Sequence, residues 1–360
     1  MTLPKTMRAM VTMGHGGLDQ MVLHTDWPRP EPAAGEVLIR VKACGLNNTD
    51  VNTRSGWYSK TVTDATTGDG FDAASNNDPT WGGAPLSFPR IQGADVCGEI
   101  VAVGDGIDPG RIGERVISDN WLRDPDDPEN MDKSTYFGSE RNGGFAEYTT
   151  IPSQNARVVT SDLSDAELAT FSCSYSTAEG MLTRAKVTSA DTVLVPGASG
   201  GVGGALVQLS KRRRARVIAM ASAPKHEDVA KLGADMILGR NPEDLRSILG
   251  DERVTVVADV VGGSYWPNLI DILERGGRYT CSGAIAGPIV ELDLRTFYLR
   301  DLTFTGSTVI PPEVTTNLIS YIEAGEIRPA LAATYPLEEL REAQAAFIRK
   351  THTGNIVVTP

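Results

Sequence analysis

The stretch "TVLVPGASGGVGGALVQL" (192–209) decides the fold of this chain. Four strand-like residues, 192–195, lead into Gly197, Gly200 and Gly203, and an amphipathic helical pattern follows at once. Gly197 permits a tight turn, Gly200 lets a pyrophosphate approach backbone N–H groups, and Gly203 allows close packing of helix on strand. Because strand, glycines and helix occur in this order, the stretch predicts a dinucleotide-binding turn rather than a merely tight structural one.

The same turn contains further residues that we predict to bind the cofactor: Ser199, Gly201 and Val202. Their backbone N–H groups lie at the start of the helix, where the helix dipole favours an anion.

The sequence around this turn alternates between strand-like and helix-like runs. From about Ser161 onward, "TVLVPG", "RVIAMA", "VTVVADVVG" and "RYTCSG" are short apolar runs, and amphipathic segments separate them. Strands connected by helices form parallel sheets with right-handed crossovers. The predicted fold class is therefore α/β, with a doubly wound parallel sheet in this part of the chain.

The strand "RVIAMA" indicates which dinucleotide is bound. An Asp or Glu at its end would bind the ribose hydroxyls of NAD, but this chain has Ala221, followed by Ser222 and Lys225. A carboxylate would repel a 2′-phosphate, whereas a hydroxyl and an ammonium can hold one. We therefore predict NADPH as the cofactor; the alternative is that Lys225 is an ordinary solvated residue at a helix start.

Composition excludes several classes of partner. The chain has 360 residues and a net charge of −12, which disfavours a nucleic acid or an anionic membrane as partner. The basic run "KRRRAR" (211–216) is typical of a helix C-terminus. No run approaches the roughly 20 apolar residues that span a bilayer, and we predict an unprocessed cytoplasmic protein.

The first 160 residues have a different pattern, rich in short β-like runs and turn formers. "EVLIRVKA" (36–43) alternates as a strand does, and "VCGEIVAVG" (96–104) resumes the β pattern. The stretch 59–90 is polar and irregular, which predicts a long surface loop. Trp57, Trp81 and Phe88 could build a lid or a substrate pocket there.

These motifs resemble the medium-chain dehydrogenase/reductase superfamily, and within it the zinc-free quinone oxidoreductase branch. The residues that carry the resemblance, besides the glycine turn, are "PRPEPAAGEVLIRVKACGLNNTDVNTRSGWY", "QGADVCGEIVAVG", "GGFAEY", "VVADVVGG" and "ERGGRYTCSG". The resemblance implies a GroES-like, mainly-β catalytic domain (1–160 and 311–360), a Rossmann domain (161–310) and an active-site cleft between them. It also implies a homodimer.

The resemblance implies that no catalytic zinc is bound. Where zinc-dependent relatives have two ligands, a Cys and a His, this chain has Asn47 and Ala94, and only Cys173 keeps its identity. Asp95 could donate an oxygen, but a catalytic zinc has three protein ligands of the Cys, His or carboxylate type. The four histidines show no metal-binding spacing. Cys44 lies three residues before Asn47 and is expected, like Cys173, to be a packed side chain.

The resemblance also implies roles for residues around the cleft. Asn47 lies near the nicotinamide, and Tyr58 lies near the substrate as a hydrogen-bond donor or proton source, although Tyr58 could instead be a packed aromatic residue. Thr177, Ser282 and Gly283 match positions that approach the cofactor.

A conjugated carbonyl accepts hydride without a Lewis acid more readily than a simple ketone does. The sequence therefore predicts an NADPH-dependent, metal-independent reductase of quinones or α,β-unsaturated carbonyls, with a small molecule as its partner. Two alternatives stay open: a relative of the zinc alcohol dehydrogenases, and an NADPH-binding protein without turnover.

Overall fold

The computed structural model describes residues 3–71 and 85–360 of the chain. The elements of the first part are β1 (Thr6–Thr12), β2 (Met21–Pro28), β3 (Glu36–Gly45), α1 (Asn48–Ser55), β4 (Asp95–Val103), β5 (Arg115–Ser118), β6 (Trp121–Leu122), β7 (Thr135–Tyr136), β8 (Tyr148–Pro152) and β9 (Ala156–Val158).

The middle of the chain alternates strands and helices. Its elements are α2 (Asp165–Leu168), α3 (Ser174–Arg184), β10 (Thr192–Val195), α4 (Gly201–Arg212), β11 (Arg216–Met220), α5 (His226–Lys231), β12 (Met236–Leu238), α6 (Leu245–Leu249), β13 (Val254–Asp259), α7 (Trp266–Asp271), β14 (Leu273–Cys281), α8 (Leu294–Leu299) and β15 (Thr303–Gly306). The chain ends with α9 (Glu313–Glu323), β16 (Leu331–Pro336), α10 (Leu340–Arg349) and β17 (Asn355–Thr359).

The first sheet is mainly antiparallel and is completed by the end of the chain. Its strand order is β16-β17-β3-β4-β5-β9, and β8 also pairs with β3. β3 contains the alternating residues of "EVLIRVKA"; Val37, Leu38 and Ile39 are fully buried, whereas Lys42 is exposed. Strand β3 therefore forms where the pattern predicted it, and it lies at the centre of this sheet.

The second sheet is parallel throughout, with the order β12-β11-β10-β13-β14-β15. After β10 the chain builds β11 and β12 on one side, and it then returns to build β13 on the other side. The carboxyl end of β10 is thus a topological switch point, where ligands bind in open α/β sheets. The glycine turn at 197–203 lies at this point, so the predicted α/β class with a doubly wound sheet is confirmed.

The two sheets meet at the glycine turn. The backbone N–H of Gly354, just before β17, donates to the carbonyl of Ser199 at 2.8 Å, and Gly200 and Gly354 form a parallel bridge. Buried side chains continue across the junction, because Ala43 and Val357 share one apolar cluster with Val193. The end of the chain therefore belongs to the first sheet but contacts the cofactor turn of the second.

The segment that follows α1 is held in place by a buried guanidinium. Arg54 has no exposed surface, and it donates to the carbonyls of Gly16 (2.5 Å) and Gly68 (3.1 Å) and to the side chain of Gln344 (3.2 Å). The indole of Trp57 donates to the carbonyl of Asp64. The ring of Phe88 contacts the ring of His15. Trp81 lies outside the described residues, so a lid or substrate pocket built from Trp57, Trp81 and Phe88 stays a prediction.

The basic run 211–216 lies at the end of α4. Lys211 and Arg212 form the last turn of α4, as the basic run indicated. Arg214 follows in the left-handed region, with φ of 61°, a conformation that glycine adopts more easily. In the described part of the chain, no helix is both long and apolar enough to cross a lipid bilayer.

Candidate active site

The glycine turn has the close contacts that its sequence requires. Gly197 has φ of 65°, in the left-handed region, and a Cβ on Gly203 would lie 2.2 Å from the Gly197 carbonyl oxygen. A Cβ on Gly201 would lie 2.3 Å from the Asn355 side chain and 2.5 Å from the Ser174 hydroxyl. Gly203 therefore brings α4 close to β10, and Gly201 brings the turn close to the first sheet.

The start of α4 is suited to an anion. Gly200 caps the helix with φ of −83°, and a Cβ there would meet its nearest atom only at 3.6 Å. The first N–H groups of the helix, from Gly201, Val202 and Gly203, have no carbonyl four residues earlier within the helix. These groups and the helix dipole fit the pyrophosphate of a dinucleotide.

Ser222 and Lys225 lie together beside this turn. They cap and end the short 3-10 helix Ala223–Lys225 that follows β11, and the N–H of Lys225 donates to the carbonyl of Ser222. The Lys225 ammonium is 3.4 Å from the Ser199 hydroxyl and 2.6 Å from the carbonyl of Lys350. Burial, and then the charge of Arg240, lower the pKa of Lys225. Lys225 is therefore partly buried against the glycine turn, rather than fully solvated.

Lys350 and His352, from the connection between α10 and β17, were not found from the sequence. The Lys350 ammonium donates to the Asn48 side chain at 2.8 Å, and burial together with the charge of Lys225 lowers its pKa to about 7. Burial likewise lowers the pKa of His352 to about 4, and its buried Nδ1 has no hydrogen-bond partner among the residues described. Nothing in the sequence pattern indicates that this segment returns to the glycine turn.

A second polar centre includes Asn47 and Cys173, two of the three positions compared above with zinc ligands. Asp95 is buried, and its carboxylate accepts hydrogen bonds from the side-chain amides of Asn47 (3.0 Å) and Asn120 (3.2 Å). Burial raises the pKa of Asp95 to about 7, although these amides act in the opposite direction. Asn120 also donates to the Tyr136 hydroxyl, which is hydrogen-bonded to the Cys173 thiol.

Asn47 is fixed from both sides. It caps α1 in a reciprocal arrangement with Asp50, whose carboxylate accepts the Asn47 N–H at 2.8 Å. Its side-chain oxygen is 3.4 Å from the Ser174 hydroxyl on α3, while its side-chain nitrogen donates to Asp95. The capping pattern at the start of α1 thus places the predicted cofactor contact at the junction of the two sheets.

Tyr58 lies beside the same centre. Its phenol is hydrogen-bonded to the side chains of Thr49 and Asn52, and burial raises its pKa to about 12. A negative charge on Cys173 would raise the same pKa further. Thr177, one turn into α3, is also hydrogen-bonded to the Cys173 thiol.

Ser282 and Gly283 follow β14, at the same edge of the parallel sheet as the glycine turn. The N–H of Ser282 donates to the carbonyl of Asp259 at the end of β13. Three residues after Ser282, the carbonyl of Ile285 accepts the N–H of Thr66 at 3.0 Å. The segment that begins at Tyr58 therefore reaches the second sheet here.

The donor set of the polar centre does not suit a metal ion. Cys173 is buried, and burial raises the pKa of its thiol, so the thiolate is disfavoured. Ala94 offers no side-chain ligand, and both oxygens of Asp95 accept amide hydrogen bonds. Across residues 3–71 and 85–360, no three His, Cys, Asp or Glu side chains are grouped so that they could hold a metal ion.

Comparison with known proteins identifies the family. Residues 33–161 match the alcohol dehydrogenase GroES-like domain, and residues 201–324 match a domain family described as zinc-binding dehydrogenase. A solved structure from Sinorhizobium meliloti 1021, provisionally described as an alcohol dehydrogenase, is 46% identical with a TM-score of 0.90. The alignment covers 99% of this chain and 98% of that one. The chain belongs to the medium-chain dehydrogenase/reductase superfamily, and it is an oxidoreductase whose fold and glycine turn suit a nicotinamide cofactor.

Curated relatives differ in the reaction that they catalyse. An Arabidopsis thaliana NADPH-dependent alkenal/one oxidoreductase is 26% identical over 100% of this chain and 81% of its own length. The human quinone oxidoreductase is 24% identical, covering 98% of each chain. An NAD-dependent alcohol dehydrogenase from Sulfolobus acidocaldarius is 24% identical over 88% of this chain and 90% of its own.

The contacts of the glycine turn predict different effects of two similar substitutions. Gly203→Ala should destabilise the protein, because its methyl group would overlap the Gly197 carbonyl. Gly200→Ala should fold normally, since it has both the space and an ordinary φ, yet bind a dinucleotide at least tenfold more weakly because the methyl group meets the pyrophosphate. Thermal unfolding and cofactor titration measure the two effects. Equal stability of the two variants would contradict the close contact at Gly203.

Proposed function

We propose that this protein is an NADPH-dependent, metal-independent reductase of quinones or α,β-unsaturated carbonyls, of the zinc-free quinone oxidoreductase branch. The observation that carries the proposal is the polar centre at Asn47, Asp95 and Cys173, where hydrogen-bonding amides and hydroxyls replace a set of metal ligands. At a centre of this composition, the Tyr58 phenol beside it is the group that can stabilise developing negative charge by a hydrogen bond.

The chemistry divides between cofactor and protein. Bound NADPH would supply a hydride to the β-carbon of an enone or to a quinone. Tyr58 donates a hydrogen bond, and then its proton, to the oxygen or carbon that gains negative charge, and solvent restores the proton. Because burial raises the pKa of Tyr58 to about 12, the phenol keeps its proton across the neutral range. Asn47, held by Asp95 and α1, orients the nicotinamide.

The cofactor choice is supported by the charges beside the glycine turn. No carboxylate stands at Ala221, and Ser222 and Lys225 follow it, so a 2′-phosphate meets a hydroxyl and an ammonium. Thr177, Ser282 and Gly283 complete the proposed cofactor site along the edge of the sheet. The Arabidopsis relative is described as NADPH-dependent, which agrees with this choice, whereas the alcohol dehydrogenase relative is described as NAD-dependent.

The NAD-dependent relative keeps a second candidate function open, that of an alcohol dehydrogenase. An alcohol dehydrogenase would have to polarise an unconjugated carbonyl by hydrogen bonds from the same polar centre. An NADPH-binding protein without turnover is the alternative outside catalysis. We include in the proposal the domain limits given above (1–160 with 311–360, and 161–310) and a cytoplasmic location.

The substitution Tyr58→Phe tests the reaction. Purified protein is mixed with NADPH and a panel of quinones, enones and simple ketones, and the loss of NADPH absorbance is followed. We expect turnover of conjugated acceptors only, and the variant should lose at least tenfold in kcat with an unchanged Kd for NADPH, since only a proton donor is removed. Consumption of ketones alone would favour the alcohol dehydrogenase, and binding without consumption would favour the non-catalytic alternative.

The substitution Lys225→Met tests the cofactor. Removing the ammonium should weaken NADPH binding at least tenfold and leave NADH binding within about twofold, because only NADPH carries the 2′-phosphate. Fluorescence titration with both nucleotides measures the ratio. A parallel loss for both nucleotides would show that Lys225 supports the fold rather than the phosphate.

We further propose a homodimer formed through the β15 edge of the parallel sheet. β15 is an edge strand, and the adjoining segment exposes apolar side chains that a monomer would leave in water: Ile289, Val290, Leu292, Leu294, Tyr298 and Leu299. Leu294 and Tyr298 are one turn apart on α8 and so share a face.

The double substitution Leu294→Asp with Tyr298→Asp should convert a dimer to monomers, because it puts charges into this apolar patch. Light scattering after size-exclusion chromatography measures the mass. Ile112→Asp, at an exposed apolar position outside the patch, is the control and should leave the mass unchanged. A wild-type mass equal to that of one chain would refute the dimer.

A further inference from the structure

A group of basic side chains lies where the end of the chain meets the glycine turn. Lys225 comes from the segment after β11, while Lys350 and His352 come from the connection between α10 and β17. The Lys225 ammonium joins the two parts, since it contacts the Ser199 hydroxyl of the turn and the backbone carbonyl of Lys350. We call Lys225, Lys350 and His352 the basic cluster.

No negative charge balances the basic cluster among the residues that the structure describes. The charges that shift the pKa values of the cluster are all positive. Lys225 lowers the pKa of Lys350, Arg240 lowers the pKa of Lys225, and both lysines lower the pKa of His352. The polar partners of the two ammonium groups are neutral, namely Asn48, Ser199 and a backbone carbonyl. A partly buried ammonium without a counter-ion is unfavourable, so the cluster has the composition of an anion site that lacks its anion.

His352 provides a second, independent indication of a ligand. Its Nδ1 is buried without a hydrogen-bond partner among the described residues, and its ring lies 5.7 Å from that of Phe347. Because the low pKa keeps this imidazole neutral, it can donate one hydrogen bond to an anion without adding a third charge. The Lys350 ammonium also lies over the Phe347 ring, at 3.5 Å from its centre, which helps to hold the side chain in place.

We propose that the basic cluster receives the 2′-phosphate of the dinucleotide from both sheets at once, and that Lys350 takes up a proton when this phosphate binds. This inference rests on the proposed function, because it takes NADPH as the cofactor. Lys350 thereby becomes a specificity-determining residue contributed by the part of the chain that does not carry the glycine turn.

The proton uptake follows from the environment of Lys350. In the free protein its pKa is about 7, so above neutral pH most molecules carry a neutral amine there. A phosphate dianion beside the amine favours the charged form and raises the pKa. Binding then adds a proton, so the affinity for the 2′-phosphorylated nucleotide must fall as the pH rises above 7. The affinity for NAD+, which lacks that phosphate, should not follow this dependence.

The test uses calorimetry of NADP+ and NAD+ binding to the full-length protein at pH 8, in Tris and in HEPES. Tris and HEPES differ in ionisation enthalpy, so the difference between the binding enthalpies measured in the two buffers gives the number of protons taken up. Phosphate buffer is avoided because phosphate would compete for the basic cluster. For wild type we expect uptake of most of one proton with NADP+, since a group of pKa about 7 is largely neutral at pH 8. NAD+ should give a much smaller number.

The test variant is Lys350→Met, and the matched control is Lys186→Met. Both lysines have a left-handed backbone, with φ of 53° and 52°, but Lys186 is exposed and distant in sequence from the cluster. Lys350→Met should abolish the proton uptake and weaken NADP+ binding at least tenfold, with little change for NAD+. It should also unfold at the same or a higher temperature without ligand, because it removes the cost of burying an amine that is protonated in the unfolded chain. Lys186→Met should bind as wild type does.

The outcomes separate this inference from the function on which it rests. Equal wild-type affinities for NADP+ and NAD+ would overturn the choice of NADPH itself. A wild-type preference for NADP+ that persists in Lys350→Met, or a proton uptake that is the same in both proteins, would overturn only the role of Lys350. Turnover is not measured, so the identity of the substrate does not affect the result.

Discussion

One backbone contact joins the two sheets at the cofactor turn: the N–H of Gly354 donates to the carbonyl of Ser199 inside the glycine turn. It fixes the end of the chain against the start of α4, and Gly201 permits the approach because any side chain there would overlap Ser174 and Asn355. As a result, the same few residues form the cofactor turn and the junction between the sheets. A dinucleotide bound along this turn would therefore contact both halves of the molecule, as the role proposed for Lys350 requires.

Buried ionisable groups also distinguish this junction; among the residues that the structure describes, the one opposite charge that shifts their pKa values is that of Arg54, which lowers the pKa of Asp50. Asp95 and Asp50 are buried, and burial raises the pKa of each to about 7, whereas Lys350 has its pKa lowered to about the same value. A core that served stability alone would replace such groups with apolar ones. Their concentration at the junction therefore favours a functional explanation, and it places groups that can change protonation near neutral pH on both sides of the cofactor turn.

The sequence was sufficient for the parts of the molecule that depend on local patterns. The glycine spacing predicted the turn between β10 and α4, and alternation predicted β3, whereas the choice of NADPH from the absence of a carboxylate at Ala221 stays a prediction. Lys350, His352 and Asn120 were not predicted, because their importance depends on contacts between segments far apart in the chain, and no periodicity encodes such contacts. Asp95 was considered only as an oxygen ligand; its amide partners became visible only in three dimensions.

The backbone of Lys350 adds a consequence for engineering. Its left-handed conformation suits glycine better than lysine, so this position combines torsional strain with the desolvation of an amine. A search for heat-tolerant variants would readily select glycine or asparagine there, because either residue relaxes the main chain and removes the amine. In such a variant, greater heat tolerance and weaker discrimination between the two nicotinamide nucleotides would arise from the same substitution, a trade-off at a single residue.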